Sequence, residues 1–259
     1  MKRIWRHIVN VLFGAILVSV LTAAYILGSS SRKDICCKGI TIAITDSTTN
    51  RFITPAEIRK ILDKEYAGYI GMPVDHIDLT EIERILDSKS AILKSQAYTT
   101  KDSLLNIKVT QRKPIVRFQK GRRGFYADRE GFIFPLQNTY ASHVIIVDGA
   151  IPLNMDNGYL GKPESGKDRK WIEDMVGLVN HIEGSRHWKN KIVQIHVAAD
   201  GDLTLIPREG NERFLFGQPK DIMEKFERIG LYYKSILKDK GAGYYSTIDV
   251  RYEGQLVCR

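Results

Sequence analysis

One segment of the chain carries most of a nucleotide-binding motif. The first seven positions of a P-loop, whose backbone N–H groups and lysine hold phosphates, are matched by residues 161–167, GKPESGK. Asp168 stands in the eighth position, where a P-loop needs Ser or Thr to hold magnesium, and polar residues replace the apolar strand that should precede it. We therefore interpret this segment as a surface loop that ends at the N-terminus of a helix, where an acidic side chain is favourable.

A second segment, Asp200-Gly201-Asp202, places two carboxylates close together, and carboxylate oxygens are ligands that calcium prefers. An EF-hand loop needs further oxygen ligands at later positions, whereas apolar Leu203 and Leu205 follow here. The segment therefore predicts a hairpin turn between two strands.

Histidine and cysteine spacing indicates neither a metal site nor a nucleophile. No histidine pair has metal-ligand spacing, no Cys-x-x-Cys is present, and no Gly-x-Ser-x-Gly elbow accompanies the histidines. A catalytic site assembled from residues distant in sequence stays open, because triads are defined in space. We expect a protein without catalytic residues, cofactor or metal, and we interpret the thiols as incidental. The residues concerned are His76, His143, His181, His187, His196, Cys36, Cys37 and Cys258.

The net charge of +9 is concentrated at the N-terminus. Residues 1–33 hold five basic and no acidic side chains, which leaves 34 basic against 30 acidic side chains in the rest of the chain. These charges alternate in sign along the chain, as solvated protein faces do. We therefore do not expect nucleic acid to bind.

Residues 8–28 form a run of 21 uncharged, mostly apolar residues. A helix of this length reaches roughly 31 Å, about the thickness of the bilayer core, so the run predicts a transmembrane helix. Lys2, Arg3 and Arg6 place the short tail, residues 1–7, in the cytoplasm by the positive-inside rule. A cleaved signal peptide is the alternative, but its apolar core is normally shorter. Residues 29–38 follow as a juxtamembrane stem.

The residues after the stem predict a small domain, residues 39–112, in the order strand, helix, helix, strand, strand. Thr54-Pro55-Ala56-Glu57 combines a hydroxyl cap, a proline and a capping-box glutamate, which is typical of a helix start. Alternating or β-branched runs predict strands at 39–45, 91–99 and 104–111, and a second amphipathic helix lies at 78–86.

From residue 113 to residue 259 the pattern predicts a mostly antiparallel β-domain with two helices. One helix covers about 168–182, and the other starts at Pro219 and carries apolar residues every three or four positions. The strands are predicted at 115–119, 124–127, 132–135, 143–147, 191–197, 203–206 and 213–216.

The last segment, residues 245–258, alternates apolar and polar residues around Ile248, Val250 and Tyr252, which predicts a strand with one buried face. Such a strand is either an exposed sheet edge that offers its backbone to a partner, or an internal strand. Periodicity favours neither alternative. Glu253-Gly254 is interpreted as a bulge that bends or ends the first pairing.

Three pieces of this layout together resemble the bacterial cell-division family FtsQ, also called DivIB. They are QRKPI at 111–115, FYADREG at 125–131 and IDVRY at 248–252, and the following GQLVC is similar to the form seen in Bacteroidota members. The resemblance covers nearly the whole chain. It implies an α+β fold with a single N-terminal transmembrane helix, a POTRA domain of βααββ order and the β-domain.

The resemblance also implies a non-enzymatic scaffold of the divisome at the septum. The protein would be single-pass in the inner membrane, with a cytoplasmic N-terminus and a periplasmic bulk. Its partners would be FtsB and FtsL, with FtsB adding a strand to the last β-strand. The partner-binding residues carried over are Ile248, Asp249, Val250, Arg251 and Tyr252, with Arg251 and Tyr252 as side-chain anchors. Alternatives are a POTRA factor for outer-membrane protein assembly or secretion, and a membrane-anchored periplasmic enzyme.

Overall fold

The computed structural model describes residues 12–25, 35–45, 51–137, 140–153 and 158–259. Residues 12–25 form a helix, α1, whose side chains are all exposed. Within these described ranges, no helix is both long enough and apolar enough to cross a membrane. The predicted span, residues 8–28, extends past both ends of α1, while the predicted tail and most of the predicted stem lie outside the described residues. The membrane span stays a prediction.

The first of two compact units has the predicted order of strand, helix, helix, strand, strand. Its sheet has the order β1-β3-β2, with β1 parallel and β2 antiparallel to the central β3. The elements are β1 (Gly39–Ile44), α2 (Pro55–Glu65), α3 (Leu79–Asp87), β2 (Ile92–Thr99) and β3 (Leu104–Gln111).

Local hydrogen bonds explain where the two helices of this unit begin. The Thr54 hydroxyl accepts a hydrogen bond from the Glu57 N–H at 3.2 Å, and the Glu57 carboxylate accepts one from the Thr54 N–H at 2.8 Å. This reciprocal pair is the predicted capping box. At α3, the Asp78 carboxylate accepts from the Glu81 N–H at 2.9 Å. Both helices therefore start at sequence-encoded caps.

The second unit, from Arg112 onward, is built on one nine-stranded sheet. The sheet order is β12-β11-β10-β9-β8-β7-β4-β5-β6. Three neighbouring pairs are parallel and five are antiparallel, so the sheet is mixed with an antiparallel majority. The strands are β4 (Pro114–Lys120), β5 (Arg123–Asp128), β6 (Ile133–Pro135), β7 (Ile145–Gly149), β8 (Ile192–Val197), β9 (Leu203–Pro207), β10 (Arg213–Gly217), β11 (Thr247–Asp249) and β12 (Val257–Cys258).

Two helical segments, α4 (Gly166–Gly184) and α5 (Ile222–Leu231), pack on one face of this sheet. α5 continues through a π-helical turn, Tyr232–Ile236, into a short helix, α6 (Leu237–Lys240). A row of buried side chains crosses six adjacent strands beneath them: Phe118, Val147, Ile195, Leu205, Phe214 and Ile248. Ring contacts join the helical segments to this row. The ring centroid of Trp171 on α4 lies 5.5 Å from that of Phe118, and the centroid of Tyr232 in the π-helical turn lies 5.8 Å from that of Phe214.

The helix boundaries correct two details of the sequence prediction. α4 begins at Gly166 rather than at Asp168, because the Ser165 side chain is its N-cap. The second helix does not open at Pro219. It begins at Ile222, after Asp221 adopts a left-handed backbone with φ of 51°, and such a residue cannot continue a right-handed helix.

The segment at residues 245–258 is not one continuous strand, so that prediction is wrong. β11 ends at Asp249, and the chain turns at residues 252–254 before it returns as β12. Glu253-Gly254 is therefore a reversing turn rather than a bulge. Gly254 has φ of 63°, a conformation that glycine adopts without steric cost.

Candidate partner-binding edge

The backbone of β11 is hydrogen-bonded on both sides. Toward β10, the Val250 N–H donates to the Leu215 carbonyl at 3.0 Å. Toward β12, the Thr247 N–H donates to the Arg259 carbonyl at 3.0 Å, and the Arg259 N–H donates back to the Thr247 carbonyl at 2.9 Å. Of the two alternatives that the sequence left open, β11 is thus the internal one. Among the described residues, β12 is the outermost strand at this end.

The structure places the five predicted partner-binding residues in three different environments. Ile248 and Val250 are fully buried in the hydrophobic core. Asp249 is 3% exposed on the other face of β11. Arg251 and Tyr252 lie beyond the strand, and the Tyr252 ring is 52% exposed at the turn. Only the Tyr252 side chain and part of Arg251 are therefore directly accessible to a partner.

Arg251 joins two carboxylates on different elements. Its Nε and Nη2 donate to the Asp249 carboxylate at 3.0 and 2.7 Å, and its Nη1 donates to Asp202 Oδ2 at 3.1 Å. Asp202 belongs to the predicted hairpin turn between β8 and β9, and its second oxygen accepts from the Gln218 side chain at 3.1 Å. The Asp200–Asp202 segment thus contributes a carboxylate to a structural ion pair with Arg251. Charge-assisted, two-point contacts of this kind are the stronger class of hydrogen bonds.

These contacts shift the titration of both partners. Burial acts to raise the pKa of Asp249, but the hydrogen bonds and charge of Arg251 outweigh it, so the pKa is lowered from 3.8. The pKa of Arg251 is raised, first by its hydrogen bond to Asp249 and then by that to Asp202. The side chain predicted as a partner anchor is therefore committed to an internal network, and its anchor role stays a prediction.

The outer edge of β2 in the first unit is closed in a different way. The Ser95 N–H donates to Asp87 Oδ1 and the Ala97 N–H donates to Glu83 Oε1, both at 2.7 Å. Both acids lie on α3, one helical turn apart. Because side-chain carboxylates occupy two outward N–H groups, β2 presents a poor template for an added strand. The sequence alone did not predict this feature, although the spacing of the two acids on α3 is visible in it.

At the opposite end of the large sheet, the segment that resembles a P-loop covers β6. The Ile133 N–H donates to the Gly161 carbonyl at 2.9 Å, and the Gly161 N–H donates back at 3.0 Å. The rest of the segment leads to the Ser165 cap of α4. This agrees with the predicted loop and gives Gly161 a structural role at the sheet edge.

The titratable residues considered for chemistry have ordinary structural neighbours. In the part of the chain that the structure describes, no group of three or more His, Cys, Asp or Glu side chains is arranged to hold a metal ion. All three cysteines are free thiols. His196 pairs with Asp148 at 2.9 Å, and His181 packs against Phe226, where burial lowers the pKa of the imidazole.

Two family models match the chain. Residues 113–259 match the model for FtsQ/DivIB, C-terminal related, and residues 35–110 match a POTRA-like domain. The first match covers more than half of the chain. The chain belongs to the FtsQ/DivIB family. No curated protein matches it.

As an FtsQ/DivIB-type protein, the chain has a cell-division scaffold role. The first unit is the POTRA-like domain, which confirms that part of the sequence prediction. The FtsQ/DivIB C-terminal match extends through β11, the turn and β12, so the candidate edge lies within the matched residues. The family is generally non-enzymatic.

Proposed function

We propose that this FtsQ/DivIB-type protein holds cell-division partners together at the septum and catalyses no reaction. Residues 8–28 anchor it in the inner membrane as a single pass, with the tail in the cytoplasm and both domains in the periplasm. The C-terminal end of the β-domain sheet binds FtsB, itself paired with FtsL, through backbone pairing with an added strand.

The observation that carries this proposal is the contrast between the sheet ends. The β2 edge is closed by the Glu83 and Asp87 carboxylates, and β6 is bridged by Gly161. At the remaining end of the large sheet, β12 contributes only two residues, and its outer side pairs with none of the described strands. This end therefore favours strand addition over the edges at β2 and β6.

The exposed Tyr252 ring lies in the turn of the hairpin formed by β11 and β12, and it supplies the side-chain part of the contact. Tyrosine is a favoured hot-spot residue because a large ring is buried at low cost in conformational entropy. A membrane anchor on both partners raises their effective concentration, so a short backbone ladder with one aromatic contact is enough for a stable complex.

Capture of FtsB by the full chain in detergent tests the proposal. Tyr252→Ala should weaken capture by about tenfold or more, as expected of an aromatic hot spot. Tyr98→Ala is the matched control, since Tyr98 lies on β2 of the POTRA-like domain and is 51% exposed. Equal binding by wild type and Tyr252→Ala would contradict the assignment of the FtsB-binding site to the C-terminal end of the sheet. No capture of FtsB by the wild type would sink the proposed partner.

A cellular test addresses the anchor and the site of action. A fluorescent N-terminal fusion should collect at the septum, and deletion of residues 8–28 should disperse it. Depletion should produce long cells that fail to divide. Normal cell length after depletion, in a strain without a second copy, would contradict the proposed role.

A further inference from the structure

Residues 256–259 occupy the place where an added strand would bind to β11. The Arg259 carbonyl accepts hydrogen bonds from the N–H groups of Ser246 and Thr247, at 2.8 and 3.0 Å. Leu256 and Cys258 are partly buried and pack against the core. The chain thus supplies both the backbone ladder and the apolar contacts that a partner strand would have to make.

We propose that this segment is an internal substitute for the partner, and that the partner strand binds by displacing residues 256–259 from β11. The inference rests on the proposed function, because it specifies how the C-terminal sheet end takes a strand. It predicts an extended, antiparallel partner segment with apolar side chains two positions apart, which fill the places of Leu256 and Cys258.

The direction of the backbone groups favours displacement over docking outside β12. In an antiparallel ladder, hydrogen-bonded and non-hydrogen-bonded pairs alternate. Thr247 and Arg259 exchange both bonds, so the next pair, Ile248 and Cys258, is non-hydrogen-bonded. Of the two residues of β12, only Cys258 therefore turns its N–H and C=O outward. When residues 256–259 leave β11, the N–H and C=O groups of both Thr247 and Asp249 become available. The partner strand also gains the apolar contacts with the core that Leu256 and Cys258 otherwise make.

The hairpin also holds its second strand weakly. The returning segment pairs with β11 over only three residues, Val257 to Arg259, and all four residues from Tyr252 to Gln255 are exposed. Short segments with few buried contacts open locally at low free-energy cost. A partner strand that continues to pair beyond residues 247–249 gains backbone pairs that residues 257–259 do not make, and this gain favours exchange.

A reversible covalent lock tests the inference. The Cα atoms of a non-hydrogen-bonded antiparallel pair lie about 4.5 Å apart, within the range of a disulfide. Ile248→Cys therefore places a thiol opposite the native Cys258. The oxidised full chain should capture FtsB about tenfold more weakly or worse, because the competent fraction falls, and reductant should restore capture. Ile248→Cys with Cys258→Ser is the control, since it loses the same core side chain without forming the lock.

Removal of residues 256–259 gives an independent measurement. Apparent affinity falls with the fraction of molecules in the competent state, so loss of the internal strand should strengthen capture by about three- to thirtyfold. Equal capture by oxidised and reduced Ile248→Cys, or unchanged or weaker capture by the truncated chain, would overturn displacement. Failure of every variant and of the wild type to bind FtsB would instead contradict the proposed function.

Discussion

The guanidinium of Arg251 binds both oxygens of the Asp249 carboxylate, across only two positions of the chain. Asp249 is buried, and Arg251 covers its carboxylate from the partly exposed side. Arg251 also donates a hydrogen bond to Asp202 in the β8–β9 turn. This contact fixes where the strand ends and the turn begins. It also makes Arg251 a stabilising residue whatever it contributes to a partner.

Arg251→Gln should lower the free energy of unfolding by about 1.5–3 kcal/mol, the range for hydrogen bonds to a charged group. Arg251→Glu should be worse, since it places a third carboxylate beside Asp249 and Asp202. Thermal melting of the full chain in detergent, followed by tryptophan fluorescence, measures the change. Arg122→Gln, at an exposed position between β4 and β5, is the control and should melt like the wild type.

The lowered pKa of Asp249 predicts an acid-dependent loss of stability. A carboxyl group whose folded pKa lies below its unfolded value stabilises the fold above the unfolded pKa, and this contribution disappears as the pH falls through the folded pKa. Wild-type melting temperature should therefore fall below pH 3.8 more steeply than that of Asp249→Asn. The variant should already be less stable at neutral pH. Parallel pH profiles of the two would contradict the role of this pair.

Gly217→Ala should destabilise the β-domain through two effects. Gly217 has φ of 70°, and a Cβ atom there would lie 2.9 Å from the Cγ of Arg251. The backbone conformation alone costs about 1–2 kcal/mol for an L-residue. Gly121→Ala isolates that cost, since Gly121 has φ of 60° with open space around its Cβ position. The drop in melting temperature should be larger for Gly217→Ala than for Gly121→Ala, and the difference measures the cost of displacing the Arg251 side chain.

Glu83→Ala with Asp87→Ala should open the edge of β2. The N–H groups of Ser95 and Ala97 lose their acceptors. The free energy of unfolding falls by about 1–3 kcal/mol for each buried donor left unpaired. The uncovered edge should also promote self-association at high concentration. Melting temperature and sedimentation velocity measure the two effects. Glu81→Ala is the control on the same helix, because Glu81 pairs with exposed Arg84 and should change both measurements less.

Features set by neighbouring residues were predictable from the sequence. The capping box at Thr54 and Glu57 depends only on a hydroxyl and a carboxylate three positions apart. The order of the POTRA-like elements followed from such caps and from apolar periodicity.

The C-terminal hairpin was not predictable in the same way. Alternation continues on both sides of Gly254, so periodicity does not separate one long strand from two strands joined by a turn. The commitment of Arg251 to Asp202 depends on contact between residues 49 positions apart. No local pattern encodes that contact.

The parallel pairing of β10 with β11 has a consequence for how the chain folds. Parallel strands cannot be joined by a tight turn, and here α5, the π-helical turn and α6 lie between them in sequence. We expect β11 to join the sheet after this helical segment has packed, and β12 to follow β11. Because long-range pairs pay their loop-closure entropy before they gain contacts, this end of the sheet should form after the folding transition state. Substitutions there should accelerate unfolding and leave the rate of folding nearly unchanged.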